Sequence, residues 1–391
     1  MLSEDLIWEI IKDFPVKELM RFKCVCRTWL SVITNPLFTR AYPGGSRGLI
    51  HIDPSSWANL RCCNYLHRMT FNGGGGGGNS AITITPEIVL NHIVWAGHWV
   101  RWKGYTNIVE GLICFYRDQY SWLYNITTRE MVQLPDSTKH AEEEEDKYHF
   151  GFDPVNKLYK LLRIMYPNNI VEILAIGKDL SWRTVSHPPD DDHQVIESQS
   201  VCLDGVLCWM DGYGRRITAF DLVTEKFIFI PPPDHDDDKL PRESCRSSWK
   251  LMNFGQSIAL TKPGFLSHIM RYCRGGDFWV EVVPEVRDLS DVIYGMALGE
   301  LPSGKMLIYN HWLHCPPTLY IFDQSKREWE ENEVTKLTWE QFRSYGCRDL
   351  RFENWFYFEE NIISLTQLTS SNRKVLIGSY FDDDDDEFLL M

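Results

Sequence analysis

Polar turns recur through the last three quarters of this chain at steps of about 50 residues, the length of one four-stranded unit in a repeat array. They fall near Asn125, Asp179, Asp221, Gly275, Asp323 and Ser371. Apolar or alternating runs flank them: 123–125 with 131–134, 173–176 with 182–185, 217–222 with 227–230, and 319–322 with 328–330. A weaker hairpin turns at 274–277 before 278–283, and a last one near 370–372 before 375–377. Alternation broken by Gly, Asn, Asp and Ser marks antiparallel strands. Further strand-like runs lie between the turns at 112–116, 159–164, 206–210, 257–260, 306–309 and 362–365.

Four strands per repeat, six times over, leave many edges to protect, and a closed ring leaves only short ones. The pattern therefore predicts a β-propeller of six or seven four-stranded blades over residues 109–381. Residues 43–108 read as a linker and first strands, with a hairpin from 69–71 to 82–84 around six glycines at 73–78. That glycine run lacks the Lys-Ser/Thr and following helix of a phosphate-binding loop, so a hairpin insertion is expected. Residues 382–391 read as an acidic tail.

The first 42 residues follow a different period. Leu2, Leu6, Ile7, Ile10 and Ile11 recur at three- and four-residue steps, placing them on one side of a helix behind an N-cap at Ser3. Phe14-Pro15 ends that helix and starts a second, carrying Val16, Leu19, Met20 and Phe22. Cys24, Val25, Trp29 and Ile33 extend the pattern, and Asn35-Pro36 breaks it before Leu37-Phe38. A bundle of about 40 residues is near the lower limit for autonomous folding. This one carries more apolar bulk than it can hide, so the excess packs either on the rest of the chain or on a partner.

The run from Leu2 to Tyr42 resembles an F-box, particularly the plant form. The likeness rests on Asp5-Leu6, Ile10, Pro15-Val16-Lys17, Leu19, Arg21 through Cys26, Trp29 and Pro36-Leu37-Phe38. One position departs: the family usually opens Leu-Pro, and here Leu2 precedes Ser3. The later strands are similar to the plant F-box-associated, kelch-like propeller, through Glu110-Gly111-Leu112-Ile113-Cys114, the stretch 124–134, Phe150-Gly151-Phe152-Asp153-Pro154, and Asp204-Gly205-Val206-Leu207-Cys208-Trp209. Together they imply an α+β multidomain chain, a small helical F-box followed by an all-β propeller.

Composition narrows the partners. The net charge of −14 disfavours nucleic acid and anionic membranes, which are held by clustered Lys and Arg. No apolar run reaches the length of a membrane span, and the N-terminus lacks a secretory signal pattern. The 11 cysteines are scattered, many in apolar strands, which suits reduced thiols and a cytoplasmic or nuclear location. Cys24 and Cys26 read as small core residues.

Catalytic patterns are sparse. The acidic runs at 142–146, 190–192, 236–238 and 382–386 interrupt or follow the strands and read as solvated loops, without the glycine and closing glutamate of a calcium loop. Cys62-Cys63 has no second pair at zinc spacing, and His92, His98, His311 and His314 sit in apolar text as packed histidines. No His-Glu-x-x-His motif occurs. A non-catalytic chain with neither metal nor cofactor is expected.

The resemblance then implies a role. The helices dock on a Skp-type adaptor, and through it on a cullin, while the propeller binds a protein substrate for ubiquitination and degradation. It implies adaptor contacts at Leu2, Leu6, Ile7, Ile10, Pro15, Leu19, Val25 and Cys26, with Trp29 anchoring the helices. Two alternatives stay open: a propeller enzyme with a channel-lining site, and an F-box protein acting outside degradation.

Overall fold

The computed structural model describes residues 3–42, 47–53, 65–72, 81–89, 94–95, 98–99, 103–138, 145–166, 170–186, 200–210, 217–230, 250–254, 257–261, 269–273, 278–281, 295–300, 306–310, 318–323, 328–330, 355–369 and 375–377. The glycine run, the acidic runs at 190–192, 236–238 and 382–386, the tail 382–391, Leu2, Cys62, Cys63, His92, His311 and His314 lie outside these residues.

Four short helices open the chain: α1 (Glu4–Ile11), α2 (Val16–Phe22), α3 (Arg27–Ile33) and α4 (Pro36–Ala41). Ser3 caps α1 by accepting the Leu6 N–H at 3.4 Å, and Asn35 caps α4 by accepting that of Leu37 at 2.9 Å, with Pro36 in the first turn. Ile7, Ile11, Val16, Leu19, Val32, Ile33 and Phe38 form the interior of this module. Trp8 stands edge-on to Phe38 at 4.9 Å, and Phe22 edge-on to Trp29 at 5.0 Å.

Most of the other described residues form antiparallel sheet. Arg47–Asp53, Tyr65–Asn72 and Ala81–Val89 pair in order, and Trp355–Glu359 joins the free side of Arg47–Asp53, with Leu49 opposite Tyr357. The stretch expected as linker and first strands thus supplies three strands of a complete sheet; its fourth strand comes from about 300 residues later in the chain. The hairpin expected around the glycines is formed, with Met69 opposite Ile84 and Phe71 opposite Ile82. The second sheet runs Gly104–Tyr105, Leu112–Arg117, Tyr120–Asn125, Glu130–Gln133, and takes Val375–Ile377 on its outer edge. Four-stranded sheets follow, beginning with Glu145–Asp153, Val201–Leu203, Lys250–Phe254 and Gly295–Glu300. The first strands of consecutive sheets meet: Glu145–Asp153 meets Val201–Leu203, which meets Lys250–Phe254, then Gly295–Glu300, which meets Trp355–Glu359.

Three of the turns are built alike. Asn125, Asp153 and Asp221 each present a side-chain oxygen to two backbone N–H groups, those of Thr127 and Thr128, Val155 and Asn156, and Val223 and Thr224. Four residues on from each, Arg129, Lys157 and Glu225 take φ of 60°, 56° and 55°. Glu110-Gly111 and Asp204-Gly205 carry positive φ at both positions, as two-residue hairpin turns matched to strand twist require.

One expected strand is absent. Residues 361–364 are irregular and lead into a single helical turn, α5 (Leu365–Leu368). Ile362 and Leu365 are apolar at both ends of this run, yet they serve two different cores. Ile362 enters the helical module, and Leu365 enters the core between the second and third sheets.

Candidate functional site

The apolar side of α1 divides in two. Ile7 and Ile11 turn inward, while Leu6 and Ile10 remain 46% and 41% exposed. Phe14, one further four-residue step along, is also exposed and stands edge-on to Phe22 at 5.2 Å. Pro15 is exposed, Val25 is 60% exposed, and Cys26 is exposed beside it. Exposed apolar or sulfur side chains thus stand on α1 (Leu6, Ile10), in the bend between α1 and α2 (Phe14, Pro15) and in the bend before α3 (Val25, Cys26). Leu30 and Leu37 are exposed further along the module.

Ile7 and Leu19, expected at the surface, belong to the interior, Leu19 with 0% exposure. The reason is helical geometry. Leu19 lies one turn after buried Val16, and Ile7 one turn before buried Ile11, so both point at the bundle axis. Leu2 lies outside the described residues. Trp29 is half-buried and packs on the module core.

Cys24 and Cys26 are exposed rather than buried. Cys26 is the N-cap of α3, in extended backbone geometry, and its side chain stays exposed. The backbone N–H groups of Trp29 and Thr28 hold its thiol below the usual cysteine pKa.

The module is seated on the β domain by residues 360–369, and no sequence pattern announced this. The Asn361 carboxamide donates to the Glu110 carbonyl at 2.7 Å, and its backbone N–H donates to Thr127 Oγ1 at 2.9 Å. Asn125 Nδ2 donates to the carbonyls of Asn361 and Ile363, at 3.1 and 2.9 Å. Glu130 accepts the Ser364 hydroxyl and the Leu365 N–H. On the other side, Ile362 is 2% exposed inside the helical core, and the Gln367 carboxamide donates to the Thr34 carbonyl. Burial pushes the Tyr42 hydroxyl pKa up to about 12, with Glu360 adding to the shift, and that hydroxyl donates to the Phe14 carbonyl at 2.7 Å. Burial lowers the Lys23 ammonium, and the nearby Glu130 carboxylate opposes the effect.

These contacts lie at one end of the sheets, that of the turns at 110–111 and 125–129. The strand ends that lead into 139–144, 187–199 and 231–249 lie at the other end. Among the described residues, no group of three or more His, Cys, Asp or Glu is placed to hold a metal ion. No helix among them is long and apolar enough to cross a membrane.

Comparison with known families agrees with this division. Residues 1–41 match the F-box domain model, and residues 91–282 match that of the F-box associated beta propeller domain. An F-box/LRR-repeat protein of Arabidopsis thaliana is 24% identical over 91% of this chain and 84% of its own length. A second F-box protein of that plant is 28% identical over 68% of this chain and 70% of its own, and a third is 30% identical over 59% of each. F-box proteins of this kind are generally non-catalytic adaptors, and the F-box implies binding to a Skp-type adaptor. With helices matching the one module and antiparallel sheets the other, the chain belongs with the plant F-box proteins that carry an F-box-associated β-propeller.

Proposed function

We propose that this chain is the substrate-recognition subunit of a Skp–cullin–F-box ubiquitin ligase, working in the cytoplasm, the nucleus or both. The observation that carries the proposal is the exposed apolar row Leu6, Ile10, Phe14, Pro15 and Val25 on a module whose interior is already filled by other side chains. Covering apolar area with a partner yields about 25 cal/mol per Å², and a few fully desolvated side chains dominate such interfaces. The adaptor covers this row and links the chain to a cullin and a ubiquitin-conjugating enzyme.

The six main sheets are six blades of a ring closed by Trp355–Glu359 against Arg47–Asp53. The helices and residues 360–369 occupy one end of that ring. The other end is left for a target protein, which is then marked for degradation. The chain contributes positioning: it raises the target's effective concentration beside the transferring enzyme and performs no bond-making step itself.

The test is co-purification of a plant Skp-type adaptor with the full chain and with a Leu6→Asp, Ile10→Asp double variant. Adaptor is expected with the first and lost with the second, while both melt alike. Equal recovery by both would remove the apolar row from the interface, and recovery by neither would remove the ligase role.

A further inference from the structure

We propose that the F-box of this chain is not a self-sufficient module: residues 361–369 are a strap that completes it, so that adaptor docking becomes possible only after the β ring has closed. The proposal rests on the ligase role above for its consequence, but on the core geometry alone for its cause.

The bundle has about 40 residues, too few to bury a comfortable core unaided. Its interior contains one side chain that the module does not own. Ile362 is enclosed among Ile7, Ile11, Val16, Leu19, Val32, Ile33 and Phe38, more than 300 residues away in sequence. That side chain is not free to arrive by itself. It stands three residues after the closing strand Trp355–Glu359, and its neighbours Asn361 and Ile363 are held by Asn125, Thr127 and the Glu110 carbonyl. Glu130 fixes Ser364 and Leu365, and Leu365 is sunk in the β core. Behind α5, Gly177 takes φ +80° and leaves room for the Leu368 carbonyl, where a Cβ would collide. Ile362 is thus aimed at the helices by groups that belong to the β domain.

The order of events follows from chain direction. The helices are made first and the strap nearly last. Until residues 361–365 are seated on the turns at 110–111 and 125–130, beside the pairing of Trp355–Glu359 with Arg47–Asp53, these groups do not present Ile362 to the helical core. The adaptor then selects chains whose target-binding domain is finished. Asn361, Ile362 and Asn125 are positioning residues for that docking, since none lies on the exposed apolar row.

Hydrogen exchange on the full-length chain tests this, with adaptor recovery measured in parallel. Three variants are compared with the wild type: Ile362→Asp, Ile362→Val and Asn125→Asp. The last keeps the side-chain oxygen that caps its turn, as Asp153 and Asp221 do in the sister turns, but removes the Nδ2 donor that holds the strap. Amides of 4–41 are expected to exchange at least about tenfold faster in Ile362→Asp and Asn125→Asp, with those of 158–175 unchanged, because local opening follows the loss of buried contacts. Ile362→Val is expected to stay near the wild type in both readouts. Wild-type exchange of the helices in both Ile362→Asp and Asn125→Asp would overturn the strap, as would full adaptor recovery by Ile362→Asp. Failure of the wild-type chain to recover adaptor strikes the ligase role instead, while faster exchange in the variants would still uphold the strap.

Discussion

Arg163 Nη2 and Asp146 Oδ2 meet at 2.6 Å, with neither side chain reaching solvent. Arg163 Nη1 stands 3.7 Å from Glu172 Oε2, and that same oxygen accepts the Ser137 hydroxyl at 2.6 Å. One buried cation therefore serves two buried carboxylates on the strands either side of its own. Removing it takes the cation from both and leaves Glu172 with the Ser137 hydroxyl. Arg163→Ala is expected to cost about 3–5 kcal/mol, read as a lower urea midpoint, because an uncompensated buried charge is far costlier than a missing pair.

His149 lies flat against Trp209, with ring centroids 4.2 Å apart, and neither ring nitrogen has a hydrogen-bond partner among the described residues. Burial, then Lys147, lowers its pKa to about 3 from the ordinary 6.5. Below pH 6.5 the unfolded chain takes up a proton that the folded chain refuses. The stability tied to this group is complete above that pH and declines by about 1.4 kcal/mol per unit as pH falls from 6.5 toward 3. His149→Phe keeps the stacked ring and is expected to flatten this part of the pH–stability curve, measured by urea unfolding between pH 7 and 4.5.

Leu6 and Leu19 separate surface from core within one module. Leu19→Ala is expected to cost about 2–5 kcal/mol, as a fully enclosed leucine does, and Leu6→Ala well under half of that. Adaptor affinity should fall in both, but only Leu19→Ala should lower the helical melting temperature. Circular dichroism beside calorimetric titration with the adaptor distinguishes the two.

Lys160 Nζ donates to the Leu222 carbonyl at 2.5 Å and pairs with Asp153 at 3.0 Å and Glu225 at 2.9 Å, linking a turn of the third sheet to one of the fourth. Backbone and side-chain donors from Asn156, then Lys160, hold the Asp153 carboxyl below its ordinary pKa, against the opposing effect of burial. Its contribution is therefore present above the ordinary carboxylate range and lost as pH falls through the lowered folded value. Lys160→Met is expected to destabilise the chain at pH 7 and to narrow its stability difference from wild type in acid, read by thermal melts at pH 7 and pH 3.

Local chemistry was legible in the sequence, and distant pairing was not. Ser3, Pro15 and Asn35 marked the helix starts because caps act within a few residues. The turn at Asn125 showed itself because its cap lies two and three positions away. The expected strand at 362–365 failed because Ile362 and Leu365 look alike in composition while answering to different cores. Residues 43–108 read as a linker with first strands rather than as part of a complete sheet because the strand that completes that sheet is Trp355–Glu359. Within the candidate site, the apolar period located α1 but assigned one side to what is an inner pair, Ile7 and Ile11, and an outer pair, Leu6 and Ile10. Phe14 was passed over as a helix stop, although its four-residue step from Ile10 continues the outer row.

The two ends of the sheets are built to different tolerances. Among the described residues, left-handed residues at Arg129, Lys157, Asp204 and Glu225 crowd the end that carries the helices, against Asp118 at the other, and an added residue at the crowded end breaks a cap or a close approach. At the far end the strands Glu130–Gln133, Arg183–Val185 and Lys226–Ile230 lead into the connections at 139–144, 187–199 and 231–249. Changes of length are therefore better borne at the far rim than at the rim that carries the helices.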